Sequence, residues 1–161
     1  MYHHEKMTEF SIQLYVKEQK ALKRKEIHKA ASGNCPTIFI VLEDKTVLAV
    51  FAVKNPCQKE DFIKDEEFFV ATLVYNGELK KDCKVKHIEK LSFDGTLGDE
   101  DQDILGVSAF FTISGDGKLQ FSTLFFKEIE EFEFTGDLRQ LHPNQENKTK
   151  YPIQRLIIGH W

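Results

Sequence analysis

A chain of 161 residues, 41% hydrophobic and 30% charged, is long enough for one domain with a core of its own. Fourteen Phe against nine Gly and four Pro exclude a disordered or collagen-like chain. A net charge of −4 argues against a dedicated nucleic-acid binder, whose footprint would be basic.

In chain order, the stretch from about Thr8 to Lys29 has no Gly or Pro, and Ile12, Tyr15, Val16, Leu22 and Ile27 approximate helical spacing, so helix is expected in part of it. Ser32-Gly33-Asn34 signals a turn. Thr37 to Leu42 and Thr46 to Val53 are two β-branched apolar runs joined by Glu43-Asp44-Lys45, the pattern of a hairpin. Neither alternates cleanly, so both faces are expected to be covered. Phe68 to Tyr75 is a third run, and Asn76-Gly77 after it predicts a type I′ turn, where both central residues need φ > 0. The returning segment Leu79 to Ile88 is rich in lysine and is expected at a sheet edge. Asp94 to Gly106 reads as a loop. Val107 to Ile113 is expected to pair with Leu119 to Phe126 across Gly115-Asp116-Gly117. Glu128 to Phe134, which alternates Ile129, Phe132 and Phe134 with glutamates, fits either state. Leu141 to Tyr151 reads as a loop, and Ile153 to Ile158 as a final strand capped by Trp161. Hairpins throughout, with apolar residues on two faces, point to a mainly β (α+β) fold in two antiparallel layers.

The chemistry-bearing residues form no catalytic pattern. Cys35, Cys57 and Cys83 contain no CxxC pair, which excludes a zinc ribbon and a thioredoxin motif. Cys35 lies before Pro36 at a strand entrance and reads first as a small packed residue, with a thiol nucleophile as the lesser reading. Gly115-Asp116-Gly117-Lys118 lacks the first Gly and the Ser/Thr of a P-loop and reads as a hairpin turn. The acidic loop with Asp94, Asp99, Glu100, Asp101 and Asp103 fails the calcium-loop register, which needs Gly at the sixth position. No catalytic residue, metal ligand set or cofactor is expected. Lys17, Lys20, Lys23, Arg24, Lys25 and Lys29 make one segment basic against Glu18 and Glu26, and no aromatic residues interleave with the cations in the manner of a single-strand nucleic-acid binder. A contact with an acidic protein surface is the functional reading, with Lys17, Lys20, Arg24 and Lys25 as the contact residues. Fourteen Phe leave a second reading open, a hydrophobic-ligand-binding barrel or sandwich with a Phe-lined pocket. Met1 to Lys6 holds no apolar leader core, and the apolar runs fall short of a membrane span, so a reducing, cytoplasmic setting without membrane insertion is expected.

Leu14-Tyr15, then His28, then Gly33-Asn34-Cys35-Pro36-Thr37-Ile38 resembles the opening of a TLDc domain. Val47 to Ala52, with Ala49 where a Gly is usual, resembles that family's next strand, and Glu67 to Leu73 its Phe-rich strand. Phe110 to Phe121 resembles its late strand pair around a Gly-Asp-Gly turn, and Leu156-Ile157-Ile158-Gly159-His160-Trp161 its closing strand. The likeness is closest to the divergent TLDc domain of interferon-induced proteins that carry a GTP-binding domain after it. Ile158-Gly159 stands where typical members have an acidic pair. The resemblance covers Leu14 to Trp161, leaving residues 1–13 as an N-terminal tail and 14–161 as one domain. It implies a two-layer antiparallel β-sandwich with an N-terminal helix and peripheral helices. It also implies a non-catalytic protein-binding module. Partners would be the vacuolar proton-pumping ATPase (V-ATPase) or another large complex, with a role in protection against oxidative stress.

Overall fold

In the computed structural model, the described residues are 9–17, 22–55, 65–87, 103–107, 110–122, 132–137 and 150–161. The β-branched and aromatic runs become β1 (Ser11–Lys17), β2 (Pro36–Leu42), β3 (Val47–Phe51), β4 (Phe69–Tyr75), β5 (Glu78–Leu79), β6 (Lys84–His87), β7 (Asp103–Val107), β8 (Phe111–Ser114), β9 (Lys118–Phe121), β10 (Phe132–Thr135) and β11 (Lys150–His160). One helix, α1 (Arg24–Ala31), occurs among the described residues. The fold is mainly β. The strands are hydrogen-bonded antiparallel into one open sheet of order β10-β6-β4-β3-β2-β11-β9-β8-β7, with β1 added on β11 and β5 on β4.

The hairpin β2–β3 forms as read, with Ile38 opposite Val50 and Ile40 opposite Leu48. Asn76 and Gly77 both have positive φ, 50° and 86°, as a type I′ turn requires. The hairpin β8–β9 closes through Gly117, at φ 78°, whose N–H donates to Ser114 O (3.0 Å).

Three expectations change. Ser11–Lys17 is a strand, and the helix begins only at Arg24. Ile12, Tyr15 and Val16 suggested a helix, but the open edge of β11 offers β1 a ladder, and this tertiary pairing overrides a weak local preference. The strand starts inside the expected tail, and Phe10 already packs on Trp161. The lysine-rich segment is not an edge: β6 lies between β4 and β10. Its Lys84 and Lys86 alternate with buried Val85, so they share one face of the sheet and do not guard its rim. Finally, the end of the expected loop, Asp103 to Gly106, joins Val107 in a strand paired with β8, so the expected strand Val107 to Ile113 is divided, with Val107 opposite Phe111.

The helix is held by packing. Ile27, Ala30 and Ala31, at the i, i+3, i+4 spacing of one helical face, are almost fully buried. Lys23 at its N-cap makes no side-chain cap bond. At its other end, both ring nitrogens of His160 meet carbonyl oxygens, Nε2 that of Ala30 (2.6 Å) and Nδ1 that of Asn34 (2.8 Å). Both partners are acceptors, so a neutral ring donates to one and an imidazolium to both. The contact ties the end of α1 to the last residue of β11.

One buried cluster draws on the arm β2-β3-β4-β6 through Ile38, Ile40, Leu48, Val50, Val70 and Val85. It also includes Phe110, Phe111, Ile113, Leu119 and Phe121 of the other arm, and the apolar face of α1. The large Phe side chains there touch edge to face, Phe110 with Phe111 and with Phe121.

Gly159 sits where Phe10 crosses β11. A Cβ there would run into the Phe10 ring and come 2.6 Å from Ser11 O. A backbone oxygen cannot swing aside, so Gly159→Ala is expected to destabilise the chain by about 1–3 kcal/mol. A fall in the urea midpoint at unchanged m-value checks this.

Candidate functional site

Lys17 is the last residue of β1, exposed, and directly opposite Arg155 of β11. Arg24 opens α1, and Lys25 follows it, exposed. Lys20 lies outside the described residues. The expected basic residues therefore do not form a comb on one helix: Lys17 ends a strand, and Arg24 and Lys25 open the helix.

Between β1 and α1 lies a cavity of about 440 Å³, lined by Leu14, Tyr15, Val16, Lys17, Leu22, Lys23, Glu26 and Ile27. Leu22 is buried, and its N–H donates to Gly115 O in the β8–β9 turn (3.0 Å), which fixes the chain at the entry to α1. Two charge arrangements at this corner oppose local stability. Like charges stand opposite each other at Lys17 and Arg155. Lys23 and Lys25 stand at the positive end of the helix dipole, with Glu26 the acidic residue of the first turn. Both concentrate positive potential on a chain of net negative charge. No Phe is among the described residues lining this cavity.

The opposite face of the sheet carries a row that the sequence did not reveal. Pairing aligns Gly159, Thr37, Phe51, Phe69 and Lys86 across β11, β2, β3, β4 and β6. The adjacent row aligns Tyr15, Ile157, Phe39, Ala49, Ala71 and Lys84. Phe10 stacks at a tilt on Trp161 (5.0 Å) and edge-on to Phe39 (5.8 Å). Phe39 meets Phe51 edge-on (6.2 Å), Phe51 stacks on Phe69 (4.6 Å), and Lys84 Nζ lies 5.5 Å from the Phe69 ring centre. Trp161 is anchored by its indole N–H to Thr37 Oγ1 (2.8 Å) yet stays 50% exposed. β1 contributes Tyr15, and β2, β3 and β4 contribute one Phe each, so only strand order and register bring the rows together.

Other polar residues make contacts that hold turns and chain ends. Asp116 accepts a hydrogen bond from Ser114 Oγ, which, ahead of nearby Lys150 and Lys118, holds its carboxyl below the ordinary range. This is the chemistry of a pinned turn. Buried Asp65, not singled out from the sequence, receives N–H bonds from Val53 (2.7 Å), Lys54 (3.0 Å) and Glu67 (3.1 Å), joining the end of β3 to the entry of β4. Cys35 has φ 53°, and its backbone bridges Val53 O (2.8 Å) and Trp161 N (3.1 Å). Cys57 and residues 94–102 of the acidic loop lie outside the described residues. Among the described residues, no three His, Cys, Asp or Glu side chains gather to hold a metal. No helix among them is long and apolar enough to cross a membrane.

Comparison with protein-family models finds no match to this chain, and comparison with curated proteins finds none either.

Burial pushes the Cys83 thiol above its ordinary value, and the Asp137 carboxylate adds to the rise. At neutral pH the thiol stays protonated, so iodoacetamide is expected to label Cys83 far more slowly in the native chain than in concentrated urea. Asp137→Asn removes the repelling charge and should speed native labelling at fixed pH. Labelling at the rate of a free thiol would contradict the burial effect.

Proposed function

We propose that the chain is a non-catalytic, TLDc-like protein-interaction module of the cytoplasm. In this reading it engages the vacuolar proton-pumping ATPase or another large complex and contributes to oxidative-stress protection. The observation that carries the reading is the order of the TLDc-like motifs along the chain, each falling on a strand or a turn of the sheet. Leu14-Tyr15 lies in β1, Pro36-Thr37-Ile38 opens β2, the Phe-rich run is β4, the Gly-Asp-Gly turn joins β8 to β9, and the closing run is the end of β11. The single buried cluster drawn from both arms of the sheet supports the finer architecture, a two-layer sandwich with helices at its periphery.

The contact residues are Lys17, Lys20, Arg24 and Lys25, which would meet an acidic partner surface. Charges of this kind mainly speed encounter and set register. Purified chain should therefore bind purified proton pump, with association slowed as salt rises. Reversing Lys20, Arg24 and Lys25 to Glu should slow association about tenfold or more at low salt, with the circular dichroism spectrum unchanged. Absence of binding to the pump and to any other large complex, together with turnover of a small substrate, would contradict the reading.

A further inference from the structure

We propose that the aromatic face of the sheet docks an extended acidic peptide segment, its apolar side chains on the Phe row and its carboxylates at the two ends. The inference rests on reading the chain as a protein-interaction module and names the chemistry of the partner segment.

Charge selects this occupant. Lys17 and Arg155 stand at the β1–β11 end of the face, and Lys84 and Lys86 at the β6 end. None of the four makes an ion pair among the described residues, and in the two aromatic rows only Glu133, opposite Lys86, is acidic. The β1 and β6 ends are five strand spacings apart, roughly 24 Å at about 4.8 Å per strand. An extended segment of about seven residues spans that distance, since each residue advances about 3.3 Å. Alternate side chains of such a segment point the same way, so three or four of them can rest on Phe39, Phe51 and the Tyr15–Trp161 edge.

The same features disfavour other occupants. A second copy docked through this face by a two-fold axis would set cations against cations. Nucleic-acid bases need open ring faces, whereas Phe51 and Phe69 stack on each other and Phe39 meets its neighbours by its edges. A lipid surface is entered by protruding apolar side chains, and Phe39, Phe51 and Phe69 lie half-buried on the sheet.

The test is selection of a phage-displayed random peptide library on the full chain, followed by titration of a synthetic enriched peptide. The expected consensus has Asp or Glu on both sides of an aromatic or aliphatic centre, with affinity that falls as salt rises. The paired changes Lys17→Glu with Arg155→Glu, and Lys84→Glu with Lys86→Glu, should each weaken binding at least tenfold. The corresponding Gln pairs serve if a Glu pair unfolds, and Lys29→Glu on α1 should leave binding unchanged. Acidic peptides that ignore both pairs but respond to Lys25→Glu would overturn this face and leave the interaction module standing. Failure to enrich any peptide, with binding instead to oligo-dT or to phosphatidylserine vesicles, would overturn both. Self-association in sedimentation that is abolished by the same pairs would also overturn the proposal.

Discussion

Strand β11 uses both of its edges, and among the described residues it is the strand through which the two arms of the sheet are joined. One edge pairs with β2 from Ile153 to His160. The other pairs with β1 from Arg155 onward and with β9 from Lys150 to Pro152. The alternation is visible at the junction, where Pro152 O accepts from Glu43 while the Ile153 N–H donates to Gly117 O. Pro152 lacks an N–H, and it falls where β2 has ended at Leu42 and no ladder donor is required toward that side. A strand used this way must be apolar on both faces. Leu156 and Ile158 are buried on one, Ile157 is half-buried on the other, and Gly159 leaves room for Phe10.

The two surfaces proposed for partner contact follow from that strand. Its end holds α1 through His160 and seats Trp161 on Thr37. Its Arg155 stands beside Lys17, at the meeting point of the basic corner and the aromatic face. The arrangement places like charges side by side and leaves aromatic rings half-exposed, and neither favours the isolated chain. Such local violations are what a surface shaped for a partner retains.

Much of the fold was legible because it depends on local chemistry. The β2–β3 hairpin, the Asn76-Gly77 turn and the closing strand each carry their signal within a few residues. What was not legible depends on pairing. Ser11–Lys17 reads as part of a helical stretch until β11 supplies an edge, and β6 reads as a rim until β10 covers it. Asp65 gave no motif because its three donors come from two separate segments. For the candidate site, the basic residues were identifiable as charges, but Arg155, Phe39, Phe51 and Phe69 come from four different strands. Their juxtaposition is a property of register, which alternation alone does not set between distant strands.

If β11 is the common element, its amides in residues 155–159 should open only with the whole molecule. Native-state hydrogen exchange tests this most directly, since it resolves local from global opening. The account predicts that these amides, with those of Phe39 to Val41 in β2 and Leu119 in β9, exchange at one common free energy equal to that of global unfolding. Exchange of the β8–β9 arm at the global value while β11 opens separately at lower free energy would contradict it.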